Sequence, residues 1–230
     1  MTTSGTYNFN PSLGELGLFA FNNIQIRSTS LLQEHMQSLQ MAANLMLSRW
    51  SNQGVNLWKV DLVTVPLVQG VSTYAVDPST VMILDAYMIT NAGSTSTNRI
   101  ILPISRTEYA SYPNPAQQGF TTVFWFDRLI SPTVTLWPVP DGSSAQFLQY
   151  YRVRQVEDAN LPGGQTVDIP YRWLEAFADG LTYRLARIWK PEVAVLWKSA
   201  ADESYNIAAD QDEEQANVYI SPAIAGYYRP

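Results

Sequence analysis

Apolar residues recur through residues 28–54 at alternating steps of four and three, at Leu32, Met36, Leu39, Ala43, Met46 and Trp50. That is the repeat of one helix face. Leu31, Ala42 and Leu45 form a second row beside it, so the stripe is wide enough to meet more than one partner. The pattern predicts a long helix buried between others, the hub of the fold. Ser28, Thr29 and Ser30 offer hydroxyls to the open amides of its first turn, and Glu34 adds acid near that end. Gly54 suits the left-handed turn that closes the other end. A shorter helix is predicted ahead of it, where Ser12 and Glu15 make a capping box before Leu16, Phe19 and Ala20; Gly14 and Gly17 weaken it. Residues 1–11 are polar apart from Tyr7 and Phe9 and read as an arm that orders on contact.

From Val55 the period shortens to two. Strands are expected at 60–67, 71–76, 81–90, 99–104, 122–126, 133–137 and 146–153. Pro66 marks an edge strand or a bulge, and Gln69-Gly70 a turn. Residues 91–97 are small and polar and predict a mobile loop. Ser105 and Glu108 predict a single helical turn that ends before Pro113. Asp141-Gly142 is the strongest turn signal in the chain, so the last three strands read in hairpin order and the β region as an antiparallel meander. Helical spacing returns after Pro170 with Leu174, Phe177, Ala178, Leu181, Leu185 and Ile188. Lys190-Pro191 breaks that helix, and a last one carries Val193, Leu196, Trp197, Ala200, Tyr205 and Ala208 into a solvated acidic end at 210–214. The fold class expected is α+β. Residues 1–54 and 168–216 form a discontinuous helical bundle, residues 55–167 an inserted antiparallel β region, and residues 217–230 an extended C-terminal arm.

Composition narrows the function. With no cysteine among 230 residues and His35 as the single histidine, thiolate chemistry is excluded and a zinc site or histidine-based catalysis is disfavoured. His35 lies at a helical position near Leu31 and Leu39 and reads as a packing or hydrogen-bonding residue. No stretch reaches the ~18 apolar residues of a membrane span, and residues 1–9 carry no basic-then-apolar leader, so a soluble protein with no membrane contact is expected. A net charge of -6 argues against gripping DNA. Charged residues are only 15% of the chain and aromatic ones 12%, which points to an apolar surface that lives in an assembly. Glu108 with Asp127 or Asp141 could serve a cell-wall glycosidase, and Trp125 with Trp137 a carbohydrate-binding platform; both are kept as rivals. The acids of 210–214 lack calcium-loop spacing, and Pro162-Gly-Gly164 lacks the lysine of a phosphate loop. No catalytic, cofactor-binding or metal residues emerge.

Several short motifs recur in one family. Trp50-Ser-Asn-Gln-Gly54, Leu57-Trp-Lys-Val-Asp61, Ser105-Arg-Thr-Glu-Tyr109, Leu136-Trp-Pro-Val-Pro-Asp-Gly142 and the helix opened by Pro170 resemble the head-to-tail adaptors of short-tailed phages, also called tail accessory or head-completion proteins. The resemblance covers residues 24–191. It implies a structural protein of the virion, made in the host cytoplasm and placed at the head-to-tail junction. It further implies a ring of about twelve copies under the portal protein. The helical part would meet the portal and the β part a downstream tail or nozzle protein, with DNA passing through unbound. Residues 217–230 hold Tyr219, Ile220, Ile224, Tyr227, Tyr228 and Arg229, too apolar for an idle tail and too short for a core. They are the expected portal-binding residues.

Overall fold

Ser12 opens the first helix, α1 (Leu13–Asn23): its Oγ accepts the Glu15 N–H, and the Glu15 carboxylate accepts the Ser12 N–H in return. The computed structural model describes residues 3–54, 57–92 and 95–212. Residues 217–230, with Tyr219, Ile220, Ile224, Tyr227, Tyr228 and Arg229, lie outside the described residues. Among those described the fold is α+β, with five α-helices and one curled seven-stranded sheet. No described helix is long and apolar enough to cross a membrane.

The long helix, α2, runs over Gln33–Asn52 rather than from Ser28. Ser28–Ser30 form a separate 3-10 turn, after which Leu31 and Leu32 are extended, so the three hydroxyls lie too early to cap α2. His35 caps it instead, its Nδ1 accepting the Leu32 N–H at 3.1 Å. Gly54 does take positive φ past the end, at 84°.

α2 is not the hub. It buries Leu39, Ala42, Ala43, Met46, Leu47 and Trp50 but exposes Met41 and Leu45, and Leu32 just before it is exposed as well. The helix that packs against α1, α2 and α5 together is α4 (Leu174–Trp189). Its buried residues Leu174, Ala176, Phe177, Ala178, Leu181, Thr182, Leu185 and Ala186 cover most of its circumference, as a central helix requires, and Ile188 alone of its predicted face is exposed. Two glycines set the spacing. A Cβ on Gly17 of α1 would lie 2.2 Å from Leu39 Cδ2, and one on Gly180 of α4 would lie 2.6 Å from Met46 Sδ. Gly17 therefore serves packing, where its composition reads only as a weak helix. α5 (Pro191–Asp210) follows the break at Lys190 and buries Ala194, Ala201 and Ala208. Alanine every seven residues lets two helices lie close, so Val193, Trp197 and Tyr205 flank the contact and Leu196 points outward.

The sheet departs most from expectation. Its strands are β1 (Val60–Pro66), β2 (Thr73–Ala75), β3 (Thr80–Ala92), β4 (Thr95–Pro103), β5 (Val123–Asp127), β6 (Thr133–Trp137) and β7 (Ala145–Arg154), in the order β1-β7-β3-β4-β5-β6-β2. β4 and β5 run parallel, with the short helix α3 (Arg106–Ala110) in the crossover that such a pair needs. β6 and β7 do not pair. β5 and β2 already occupy both edges of β6, and Pro138 and Pro140 offer no N–H to a further ladder. The Asp141-Gly142 turn instead carries the chain to β7, which lies between β1 and β3. The expected mobile loop is mostly strand, with Asn91 opposite Ser96 and Thr90 opposite Thr97. β1 is an edge strand, as Pro66 indicates.

The linker 67–72 forces the curl. Seven extended steps from Pro66 to Thr73 reach about 25 Å, whereas the edges of a flat seven-stranded sheet lie about 29 Å apart. The two ends of the linker continue the edge strands onto their neighbours: the Leu67 N–H donates to the Gln146 carbonyl of β7, and the Leu136 N–H of β6 donates to the Ser72 carbonyl. Ala86, Met88, Ile101, Phe124, Leu136, Leu148 and Tyr150 fill the enclosed face.

Candidate functional site

The candidate contacts lie on the surface of the described residues, and the helix–sheet junction fixes how that surface is presented. α2 ends at Asn52, and the next described element, a 3-10 turn at Leu57–Lys59, leads directly into β1. Here Trp50, 5% exposed, lies with its ring centroid 5.0 Å from that of Trp173 and 5.9 Å from Tyr205, and Trp58 packs on Trp173 from the other side at 5.4 Å. The Trp58 indole donates to the Asp168 carbonyl at 3.1 Å. Burial lowers the pKa of Lys59, which Asp212 and Asp168 partly offset and Arg154 reinforces. Its ammonium donates to Ser51 Oγ.

Around Lys59 the strands carry an ion network that spacing along the chain does not reveal. Arg154 grips Asp168 with both terminal nitrogens, at 2.6 and 3.1 Å, and reaches Asp61 at 3.5 Å. Arg152 bridges Asp61 and Asp77. Burial alone would raise the pKa of Asp168. The Arg154 hydrogen bonds, the Glu157 N–H and the charges of Arg154 and Lys59 outweigh it and hold the carboxyl below the usual range. The acidic end of α5 is not simply solvated: Asp212 pairs with Arg172 at 2.6 Å and its side chain is almost wholly covered. This chemistry binds elements together.

The residues singled out for catalysis or sugar binding are placed elsewhere. The His35 ring stacks on Trp189 at 4.1 Å and meets the edge of Phe21, so it caps and packs α2. Glu108 sits in α3, Asp127 ends β5, and Asp141 lies in the turn before β7. The Ser143 N–H and hydroxyl lower the Asp141 pKa, the opposite of what a glycosidase acid needs. Trp125 and Trp137 are covered by the chain's own tyrosines: Tyr112 stacks on Trp137 at 4.0 Å, and Tyr109 packs on Trp125 at 5.7 Å. They fasten α3 to the sheet. Among the described residues no group of three or more His, Cys, Asp and Glu could hold a metal ion.

Open apolar surfaces remain among the described residues. Between α1, α4 and α5 lies a groove of about 820 Å³ floored by Leu16, Leu174 and Ala178, rimmed by Phe9, Phe19, Tyr171 and Ile207, and lined with Glu15, Glu175, Asp179 and Arg172, the last paired with Asp212. Burial raises the pKa of Asp179, with a Ser204 hydrogen bond opposing and Glu175 adding to the rise. Between α2 and α4 lies a second groove, of about 510 Å³, where Met41, Leu45 and Ile188 surround Arg184 and Arg187. On the sheet, Ile130 is 97% exposed beside Leu129 at the tip of the β5–β6 hairpin, and Leu62, Ile100, Leu102 and Tyr151 are exposed along the strands. The clue in the sequence is the set of apolar residues, such as Leu45 and Ile188, that the buried stripes do not use.

The family model described as SU10 adaptor protein matches residues 22–225. No curated protein matches the chain.

Proposed function

The chain belongs to the SU10 adaptor protein family, a structural component of the phage virion, and from that premise we propose that it is a head-to-tail adaptor. Copies assemble into a ring of about twelve beneath the portal protein and extend the DNA channel. The helical part, residues 1–54 with 168–216, meets the portal. The β part, residues 55–167, faces the downstream tail or nozzle protein, with the apolar tip at Leu129 and Ile130 as its leading contact. Residues 217–230 bind along the portal through Tyr219, Ile220, Ile224, Tyr227, Tyr228 and Arg229. Ordering such a segment costs roughly 1 to 2 kcal/mol of backbone entropy per residue, so most of these side chains are needed at once.

The family match over 22–225 carries this reading. The open apolar surfaces on both parts fit it, because large exposed patches mark protein contacts. DNA slides past: with 14 basic against 20 acidic residues the chain lacks the positive charge needed to displace the counterions condensed on a duplex. The test is addition to purified portal rings, read by sedimentation and electron microscopy. The full chain adds a second ring to the portal, and a chain lacking 217–230 stays folded and does not. Failure of the full chain to join portal rings overturns the adaptor reading; equal joining by the truncated chain overturns only the role of 217–230.

A further inference from the structure

The two grooves on the helical part have opposite charge and matching apolar character. On the α2–α4 face, Arg49, Arg184 and Arg187 make no ion pair with a carboxylate among the described residues. They lie close enough that burial and the charges of Arg49 and Arg187 together push the Arg184 pKa down. Arg184 is held against α2 by a long hydrogen bond to the Leu45 carbonyl. On the α1–α4–α5 face, Glu175 and Asp179 lack a basic partner within ion-pair distance among the described residues, the Arg172 of that groove being paired with Asp212. Arg184 and Arg187 beside exposed Met41, Leu45 and Ile188 make up one surface, with Arg49 nearby on α2; acids beside exposed Phe9, Phe19, Tyr171 and Ile207 make up the other.

We propose that these faces are the two halves of one head-to-tail contact between copies of this chain, the acidic aromatic groove of one copy receiving the arginine and aliphatic face of the next. This rests on the ring reading above and assigns its subunit interface. α4 supplies residues to both faces. At 3.6 residues per turn its acidic-groove residues and its arginine-face residues lie roughly 160° apart around the axis. The two halves therefore cannot meet within one molecule, and they point the right way to propagate from copy to copy. A two-fold contact would set arginine on arginine and acid on acid, and like charges facing each other cost several kcal/mol. A repeated unlike contact avoids this and closes into a ring when its rotation allows. Methionine and aliphatic side chains against an aromatic rim supply the apolar part. An overall charge of -6 makes nucleic acid a poor occupant of the arginine face.

The absence of cysteine makes cross-linking decisive, because introduced thiols are the only ones present. Leu45→Cys and Ile207→Cys change exposed side chains, one on each face. Treated with a short bis-maleimide, with and without portal rings, a mixture of the two single variants gives 45–207 links in excess of 45–45 and 207–207. The double variant gives a ladder of covalent oligomers. Arg184→Glu with Arg187→Glu reduces the ladder at least about tenfold, Glu175→Arg with Asp179→Arg does the same, and all four changes in one chain restore it. Predominant 45–45 or 207–207 links, or linking no greater than that of an Ile130→Cys control, overturn the interface. If rings form by sedimentation while these reversals leave them unchanged, the interface falls and the ring reading stands; if no assembly forms even on portal rings, both fall.

Discussion

The helical and sheet parts of this molecule specify themselves differently. In the helical part, neighbours along the chain and the period of their apolar residues already say which face is inside, and close approach at Gly17, Gly180 and the alanines of α5 fixes how the faces meet. In the sheet, alternation says which residues face the interior but is silent on which strand lies beside which, because every edge offers the same backbone groups. What ties the two parts is a third kind of contact, the tryptophan and ion-pair junction at Trp50, Trp58, Lys59, Arg154 and Asp168. The helical part can thus tolerate little change in volume, while the junction is the place where charge and pH matter.

The sharpest way to break that division is at Trp50. Trp50→Ala removes a buried ring in contact with Trp173, Phe177 and Tyr205 and is expected to cost about 3–5 kcal/mol, lowering the melting midpoint by several degrees or more. Because Trp58 continues the same stack into β1, hydrogen exchange should speed up in β1 and β7 as well as in α2. An unchanged midpoint would place Trp50 outside the core. Gly17→Ala comes next. In an isolated helix it would be stabilising, but here the new Cβ meets Leu39, so a loss of about 1–3 kcal/mol in denaturant unfolding is expected. A gain instead would show that α1 and α2 have room to separate.

These cases mark where the sequence was legible. The Ser12–Glu15 box, the stripe of α2 from Met36 to Trp50, the face of α4 from Leu174 to Leu185, the break at Lys190 and the edge position of β1 are local signals, and they read correctly. Ser28–Ser30 misled because a cap depends on the extended residue directly before the helix, and two residues intervene. The hub was misassigned because Leu45 keeps helical spacing while facing outward, and burial around most of α4 is a tertiary fact. Pairing of β6 with β7 was inferred from a true turn, but proline and prior occupation of both β6 edges decide against it. The interaction faces were legible only in the negative, as apolar residues left over; their charge complementarity needed α2, α4 and α5 side by side.

The junction gives the pH dependence. Asp168 has a lowered folded pKa, so its contribution is present above the ordinary aspartate value, ~4, and is lost as pH falls through the folded value. Asp168→Asn is expected to cost about 1–2 kcal/mol at neutral pH, since both partners keep some solvent contact, and to flatten the acid side of the stability curve. Urea unfolding between pH 3 and 7 checks this. A variant that keeps the full acid loss would assign it to other carboxylates.

Asp179 has the opposite sign and the smallest expected effect. Its folded pKa is raised, chiefly by burial, so above ~4 the charged form opposes folding, and the penalty is relieved as the group protonates. Asp179→Asn should therefore stabilise the isolated chain, by less than about 1 kcal/mol because the carboxyl is not wholly buried. Its stabilisation over wild type should shrink as pH falls through the raised folded value of Asp179 toward ~4 and below. A carboxylate kept where it weakens its own fold points to a use outside that fold, and the Arg184 and Arg187 face of a neighbouring copy would relieve the strain by pairing it. The variant should then melt slightly higher as a monomer and assemble more weakly on portal rings, a split that a purely structural role cannot produce. Higher stability with undiminished assembly would detach Asp179 from the contact and leave Glu175 as its acidic anchor.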